Sequence, residues 1–333
     1  MLETHPGDRV TKFRPMFHQI AMRRIAMSSF PIKTVNAWIL LSEDDPAGTT
    51  YPDSNSAYQA LITNKTYLSM DMIFLCFGEI VQASTLPDAN MYPYPGAYTL
   101  VIQSANHVDS TTGNTYTNQQ YMKFVIDEAN SQNSNIKIAI TLDFGNSGAI
   151  NQIFDGLSGD EITTAADQFA ANLLFYMQGS GLIGFDIDWE PSLSSETTTS
   201  NFIAFITAIG TLFQKQATKY YLTMSPSEAG NLDPSTVNSY VDFLNLQLYG
   251  GANPNDFPNI NQNLFAYGAK FECDFSNGQS NQTGKQTAQE AFNDNLNNYK
   301  YAIMTNWRIN SSNFQYEQSQ QAALFAMVLN GNL

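Results

Sequence analysis

The chain has 333 residues, of which 43% are apolar and 13% aromatic, a composition typical of a globular protein with a large core. Fifteen Lys and Arg stand against 30 Asp and Glu, which gives a net charge of −15. Such a charge repels nucleic acids and anionic membranes and argues against both as partners, whereas a neutral substrate is not repelled. No apolar run reaches the roughly 18 residues that a membrane-spanning helix needs.

The first 33 residues differ in composition from the rest of the chain. They carry six of the 15 basic residues, which are Arg9, Lys12, Arg14, Arg23, Arg24 and Lys33. Because these charges interrupt every short apolar run, no secretory signal peptide is readable. We expect residues 1–33 to form a basic N-terminal extension. Three interpretations of it stay open: a disordered tail, an unusual targeting segment, or a consequence of start-codon choice.

The chain has two cysteines, Cys76 and Cys273, and each lies in a short apolar run. No disulfide framework can be read from two positions. Buried free thiols are therefore the default expectation for both, and their redox state stays open.

From residue 34 onward, short apolar runs alternate with longer helix-like stretches, as expected when each strand is covered on both faces. The predicted strands are Thr34–Leu41, Asp71–Ile80, Ile136–Phe144, Leu182–Trp189, Tyr220–Ser225, Val241–Tyr249, Ala269–Asp274 and Tyr301–Trp307. The predicted helices include Asn118–Ser131, Ala165–Gln178, Thr199–Ala217 and Asn313–Asn330. This order predicts one (β/α)8 TIM barrel over residues 34–333. A doubly wound sheet is the alternative, although no Gly-rich dinucleotide fingerprint follows the first strand.

The most informative segment is Gly184–Pro191, in which three carboxylates alternate with Phe, Ile and Trp. Side chains on a strand point alternately to opposite faces, so Asp186, Asp188 and Glu190 are predicted to share one face. Like charges this close shift each other's pKa, which can keep one carboxyl protonated as a general acid beside an ionised neighbour. The flanking residues are too apolar to favour a solvated strand face or a calcium site. The segment therefore predicts an active-site strand.

Other chemically suggestive residues also stand where predicted strands end. Glu190 precedes Pro191, Tyr249 precedes Gly250, and Trp307 ends the eighth strand. Active sites of (β/α)8 barrels lie at the carboxyl ends of the strands. These residues are therefore predicted to meet at one end of the barrel.

On these residues the chain resembles the family 18 glycoside hydrolases, which include chitinases and endo-N-acetylglucosaminidases. The family's Asp-x-x-Asp-x-Asp-x-Glu strand corresponds to residues 183–190, with Ile183 in place of the leading Asp. Thr223–Pro226, Asp242–Tyr249 and Trp307–Asn310 resemble its fifth, sixth and eighth strands, in that order.

Two further features of the sequence bear on this resemblance. The family's third-strand Ser-x-Gly-Gly is poorly kept, because Thr141-Leu142-Asp143-Phe144-Gly145 stands in its place. The residues between the last two predicted strands are too few for the α+β insertion domain of many members. The resemblance therefore implies a compact single barrel with an open groove.

The resemblance also implies a mechanism in which the 2-acetamido oxygen of the substrate attacks the anomeric carbon with net retention. Glu190 would be the general acid and later the base that activates water. Asp188 would orient the acetamido group, and Asp186 would share a proton with it. Tyr249 would hydrogen-bond the acetamido carbonyl, and Trp307 would form the floor under the reacting sugar.

Three more residues are candidates for substrate contact, each with a structural alternative. Gln247 either contacts substrate or is a buried amide, and Met224 either contacts substrate or packs in the barrel. Tyr94, in the loop Met91–Tyr98, either stacks on sugar or belongs to a Pro-rich turn. No metal or organic cofactor is implied.

The leading functional hypothesis is a chitinase, an endo-hydrolase of β-1,4-linked N-acetylglucosamine polymers. One alternative is an endo-N-acetylglucosaminidase that cuts the chitobiose core of N-glycans. Another is a catalytically silent lectin on the same barrel, which the intact acids and Tyr249 disfavour. The expected partner is a chitin or GlcNAc oligosaccharide, and the protein is expected to be a monomer. A substrate of this class suggests an extracellular location, which no readable signal supports.

Overall fold

The computed structural model describes residues 32–41, 56–108, 112–272 and 286–331. The strands in these ranges are β1 (Thr34–Leu40), β2 (Met72–Gln82), β3 (Tyr98–Ile102), β4 (Asn106–Val108), β5 (Thr115–Thr117), β6 (Lys137–Leu142), β7 (Gly184–Trp189), β8 (Tyr221–Pro226), β9 (Phe243–Leu246), β10 (Phe265–Lys270) and β11 (Ile303–Trp307). The α-helices are α1 (Ala57–Thr63), α2 (Asn118–Gln132), α3 (Asp160–Ser180), α4 (Pro191–Ser194), α5 (Thr199–Gln214), α6 (Pro234–Tyr240), α7 (Ala288–Asp294) and α8 (Phe314–Gly331).

Eight of the strands form a closed parallel barrel in the order β1-β2-β6-β7-β8-β9-β10-β11. Closure comes from β1, which pairs with β2 on one side (Asn36 opposite Met72) and with β11 on the other (Thr34 opposite Ile303). The predicted (β/α)8 barrel is confirmed, and the doubly wound alternative is wrong. Outside the ring, β3 pairs antiparallel with the far end of β2, and β4 forms a hairpin with β5.

The alternation of side chains along the strands creates two separate cores. On β7, Phe185, Ile187 and Trp189 have no exposed surface and pack in the layer between strands and helices. Alternate positions on other strands, such as Phe74 and Phe243, fill the barrel interior. Burial of both faces explains why the strands read as near-continuous apolar runs.

Side-chain caps set the starts of several helices. Thr117 accepts a hydrogen bond from the Gln120 backbone N–H, and the Gln120 side chain accepts one from the Thr117 N–H, which is a capping box for α2. Thr287 and Glu290 make the same arrangement at α7. Each box satisfies two backbone N–H groups that the first turn of a helix leaves without partners.

Two barrel strands differ in position from the predictions, and three further strands were not predicted. The seventh barrel strand is Phe265–Lys270, not Ala269–Asp274, because Gly268 lies inside a strand and does not mark a turn. β9 ends at Leu246, and the chain then turns through Leu248–Gly250. The short strands β3, β4 and β5 were not predicted, because they are too short for a clear apolar period.

The structure tests the expectations for one of the two cysteines and for membrane-spanning helices. Cys76 is a fully buried free thiol inside the barrel, as expected, while Cys273 lies outside the described residues. Nearly all of the basic N-terminal segment also lies outside the described residues. Among the helices of the described residues, none is long and apolar enough to cross a membrane.

Gly268 is predicted to be essential for the packing of β10 against β9. A Cβ atom there would lie 2.1 Å from the carbonyl oxygen of Leu246, a backbone atom that cannot rotate away. We expect Gly268→Ala to lower the free energy of unfolding by roughly 1–3 kcal/mol, measured by chemical denaturation. Gly96→Ala is the matched control, because no atom lies within 4 Å of its added Cβ. Equal stabilities of the two variants would contradict this account.

Candidate active site

The carboxyl ends of the barrel strands surround a pocket of about 350 Å³. Five residues that the sequence singled out line it: Asp188, Glu190, Gln247, Tyr249 and Trp307. They come from β7, from the segment after β9 and from β11, which confirms that these strand ends meet. β7 and β11 stand opposite each other in the eight-membered ring, so the carboxylates and Trp307 occupy opposite walls.

Asp186 lies beneath the pocket and has no exposed surface. Its carboxylate accepts hydrogen bonds from the Thr223 hydroxyl at 2.6 Å and from the Ser225 hydroxyl at 2.8 Å. Burial raises the pKa of Asp186 to about 6, although the hydroxyl hydrogen bonds oppose the shift. Around neutral pH this carboxyl can therefore exchange a proton with its neighbours.

Asp188 stands one inward position further along β7, at the pocket floor. Burial raises the pKa of Asp188 well above its ordinary value, and the charges of Glu190 and Asp186 raise it further. A carboxyl in this position favours the protonated form until a positive charge appears beside it. The pair formed by Asp186 and Asp188 therefore holds at least one proton at moderately acidic pH.

The side-chain amide of Gln247 connects the two acids that face the pocket. Its Nε2 lies 2.9 Å from Asp188 Oδ1, 3.1 Å from Glu190 Oε1 and 3.0 Å from the carbonyl oxygen of Ser225. The amide has two N–H bonds for these three acceptors, so the interactions share hydrogen atoms. Gln247 is 8% exposed, and it fixes Asp188 and Glu190 relative to one another.

Glu190 follows β7 and is held by the turn that comes next. Its carbonyl oxygen accepts hydrogen bonds from the backbone N–H groups of Leu193 and Ser194 at 3.0 and 2.8 Å. Pro191 occupies the first position of α4, where its missing N–H costs nothing. The strand therefore stops at the carboxylate, and the Glu190 side chain projects into the pocket.

Tyr249 lines the pocket near Lys270, whose Nζ lies 5.9 Å from the centroid of the Tyr249 ring. Burial raises the pKa of Tyr249 well above its ordinary value, as do the nearby charges of Asp188 and Glu190. The phenol therefore stays protonated and can donate a hydrogen bond.

Trp307 forms an aromatic wall with two neighbours. Its ring centroid lies 6.2 Å from that of Trp38 and 6.2 Å from that of Phe77. The Trp307 indole N–H donates to Glu272 Oε2 at 2.9 Å, and Arg308 donates to Glu272 Oε1 at 2.8 Å. This contact fixes the edge of the indole ring, while the ring itself faces the pocket.

Two predicted substrate contacts do not belong to this pocket. Met224 has no exposed surface and packs between the strands and helices, because it occupies an outward position of β8. Its role is barrel packing, which corrects the expectation of substrate contact. Tyr94 is 44% exposed and lies beyond β2, where its backbone bonds to the Asn172 side chain of α3. It does not line the pocket.

Sequence reasoning missed three groups of pocket residues. Trp38 was placed on the first strand but not assigned to the site. Lys270 lines the pocket from an inward position of β10, and the wrong bounds for that strand hid it. Phe144 follows β6 and lines the pocket, where the sequence was read only as a departure from a motif. Alternation along each correctly bounded strand would have found Trp38 and Lys270.

The family model described as glycosyl hydrolases family 18 matches residues 54–325. The chain belongs to glycosyl hydrolase family 18. Its acidic signature strand is β7, and Ile183, which replaces the leading Asp, precedes that strand. No curated protein sequence matches the chain.

Solved structures share the family 18 fold at low sequence identity. A chitinase from Bacteroides thetaiotaomicron is 15% identical with a TM-score of 0.55, over 91% of this chain and 97% of that one. A mutant class V chitinase from Nicotiana tobaccum in complex with NAG4 is 11% identical with a TM-score of 0.55, over 90% and 98%. A chitinase-like agglutinin from Robinia pseudoacacia is 10% identical with a TM-score of 0.54, over 87% and 99%. These likenesses show the fold.

The buried carboxyl of Asp186 predicts a pH dependence of stability. Its pKa is about 6 in the folded protein and about 3.9 in an unfolded chain, so the folded state binds its proton more tightly. The stabilisation is complete below about pH 4 and is lost as pH rises through about 6. Relative to Asp186→Asn, the wild-type protein should lose roughly 3 kcal/mol of unfolding free energy across this window, since one pKa unit is ~1.4 kcal/mol.

Urea denaturation of both proteins at several pH values measures this difference. Asp167→Asn, on the solvent-exposed face of α3, is the control that should follow the wild-type curve. A constant difference between Asp186→Asn and wild type from pH 4 to 7 would contradict the raised pKa.

Proposed function

We propose that the protein is a chitinase that hydrolyses β-1,4-linked N-acetylglucosamine polymers internally and with retention of anomeric configuration. The observation that carries this proposal is the hydrogen-bonded group Asp188–Gln247–Glu190 at the pocket, with the protonated Tyr249 beside it. Glu190, at the end of the strand, can donate a proton. The more buried Asp188 can ionise when a positive charge develops next to it. Membership of family 18 and the NAG4 ligand of the class V chitinase support the same substrate class.

Glu190 is the proposed general acid, because it stands at the pocket surface and is positioned by Gln247. It transfers its proton to the glycosidic oxygen as the bond to the anomeric carbon breaks. The acetamido oxygen of the same sugar attacks that carbon and forms a cyclic oxazolinium-like intermediate, as substrate-assisted members of this family do. The carboxylate of Glu190 then removes a proton from water, which opens the ring with net retention.

Asp188 and Asp186 respond to the positive charge on the acetamido nitrogen. A charge at this point favours the ionised form of Asp188, whose pKa burial otherwise holds high. The proton that Asp188 carries can move towards Asp186, where the hydroxyls of Thr223 and Ser225 already orient the carboxyl. A pair with one shared proton therefore supplies a negative charge where the intermediate needs it.

Tyr249 and Trp307 position the sugar for this attack. The Tyr249 hydroxyl donates to the acetamido carbonyl oxygen of the bound sugar, which fixes the attacking atom close to the anomeric carbon. On the opposite wall, Trp307 offers an aromatic face to the apolar face of the pyranose ring.

Two other functions use the same scaffold. An endo-N-acetylglucosaminidase would require the same catalytic residues and differ in the groove that receives the remaining glycan. A silent lectin is the second alternative, and a chitinase-like agglutinin has the same fold. The hydrogen-bonded Asp188 and Glu190 favour an active hydrolase over a lectin.

The test of the proposed function is cleavage of N-acetylchitopentaose by wild-type protein and by Glu190→Gln. Loss of the proton donor should reduce kcat at least 100-fold, while calorimetry still detects oligosaccharide binding. Fresh wild-type products should carry the β-anomer, as read by NMR. Glu196→Gln, an exposed acid six positions further on, is the control and should keep full activity.

Each contrary result has a defined meaning. An unchanged rate in Glu190→Gln would overturn the assignment of the general acid. Binding without cleavage by the wild-type protein would identify a lectin. Cleavage of a chitobiose-core N-glycan but not of the chito-oligosaccharide would identify an endo-N-acetylglucosaminidase.

A further inference from the structure

Asp143 is an acid beside the catalytic group to which the proposed chemistry assigns no role. It follows β6, which pairs with β7 so that Thr141 lies opposite Asp186. Two positions further along both chains, the same parallel register brings Asp143 level with Asp188. Side chains alternate along a strand, and Leu142 packs in the layer between strands and helices. Asp143 therefore follows Thr141 on the inward face.

A set of hydrogen bonds fixes Asp143 in this place. Its backbone N–H donates to the Gly78 carbonyl oxygen of β2 at 3.0 Å. One carboxylate oxygen accepts from the Gly145 N–H at 3.1 Å, and the other accepts from the Gln103 side-chain amide at 2.7 Å. The backbone is packed as tightly, since a Cβ atom on Gly148 would lie 1.7 Å from the Asp143 carbonyl oxygen. Because both carboxylate oxygens have a donor, the side chain has one fixed orientation.

Asp143 adds a fourth carboxylate to the three of the signature segment. Burial is the largest cause that raises the pKa of Asp188, and the charges of Glu190, Asp186 and Asp143 raise it further. The hydrogen bond from Gln247 opposes these effects. The charge of Asp143 thus acts on Asp188 in the same direction as those of the two acids already assigned a role.

The other titratable groups near Asp188 leave this effect in place. Lys270 and Arg308 both form ion pairs with Glu272, at 3.2 and 2.8 Å, and β10, which carries Lys270, stands opposite β6 in the ring. The Cys76 thiol and the Tyr249 phenol stay protonated and uncharged, because burial raises the pKa of each. The cations nearest the pocket are therefore paired with an acid on the far wall from Asp143.

We propose that Asp143 is a positioning residue that keeps the shared proton on the Asp186–Asp188 pair up to higher pH. It acts through Asp188 and does not touch the substrate. A fixed negative charge level with Asp188 disfavours its ionisation until the positive charge of the reacting acetamido group appears. The family's third-strand Ser-x-Gly-Gly fixes no acid here, so this device belongs to the present chain. Its effect on catalysis rests on the proposed function, whereas its effect on the acid pair needs no substrate.

The first experiment is an NMR titration of protein that is isotope-labelled at the aspartate carboxyl carbons. It compares wild type with Asp143→Asn, which keeps the shape of the side chain and one acceptor oxygen but removes the charge. Asp186→Asn and Asp188→Asn identify the signals of the pair. We expect the titration midpoint of the pair to fall by roughly half a pH unit or more in Asp143→Asn, as for the loss of a neighbouring unit charge in a protein interior.

The pH profile of N-acetylchitopentaose cleavage gives a second readout. The proposed reaction needs a proton on the pair, and a lower midpoint means that this proton is lost at lower pH. The alkaline limb of kcat/KM should therefore move to lower pH by the same amount in Asp143→Asn. KM at the pH optimum should stay at the wild-type value, because Asp143 does not line the pocket.

A second variant and a matched control separate the charge from the turn that it anchors. Gln103→Lys leaves Asp143 in place and sets a cation against its carboxylate, so it should also lower the midpoint. Asp233 likewise accepts two hydrogen bonds, from the Thr236 N–H at 2.8 Å and hydroxyl at 2.7 Å, at the start of α6. Asp233→Asn should leave both the midpoint and the pH profile unchanged.

An unchanged midpoint in Asp143→Asn and in Gln103→Lys would overturn the inference, whether or not the protein cleaves the oligosaccharide. An equal shift in Asp233→Asn would also overturn it, because any lost charge would then have the same effect. A lowered midpoint in a wild-type background that cleaves no oligosaccharide would support the role of Asp143 in the acid pair while the proposed function fails.

Discussion

The burial of β7 on both faces is the constraint on which the rest of the site depends. Phe185, Ile187 and Trp189 must pack against the helices, because they have no exposed surface. With a period of two, the alternate residues Asp186 and Asp188 are then forced into the barrel interior. Two carboxylates in such an environment require partners or protons, and the neighbouring strands must supply them.

The surrounding residues supply these partners in layers. The hydroxyls of Thr223 and Ser225 on β8 donate hydrogen bonds to Asp186. The side-chain amide of Gln247 donates to Asp188 and Glu190. Exposure to solvent therefore increases from Asp186 and Asp188 inside the barrel to Glu190 beyond the end of β7. This gradient separates the roles of three chemically similar acids, since Asp186 and Asp188 can share a proton beneath the pocket and Glu190 meets the solvent and the substrate.

Much of this arrangement could be predicted because it follows from strand periodicity. The eight barrel strands and the inward acids were recognisable from apolar runs and from alternation within one segment. Met224 stayed a candidate for substrate contact because nearness to a motif says nothing about which face a residue occupies. Glu272 was not predicted as a partner of Trp307, because their contact joins the ends of two strands through a hydrogen bond that no local pattern encodes. Phe144 could not be read either, since its exposure depends on how the turn after β6 is anchored.

The three tryptophans of the chain lie in two different environments, the buried layer around the barrel and the pocket wall. Trp189 is fully buried and donates its indole N–H to the Gly230 carbonyl oxygen, so its surroundings do not change when the pocket fills. Trp38 and Trp307 lie together on the pocket wall, and Glu272 holds the Trp307 indole in one orientation. We therefore expect the fluorescence of Trp38 and Trp307 to change when a ligand fills the pocket, and the fluorescence of Trp189 to stay constant.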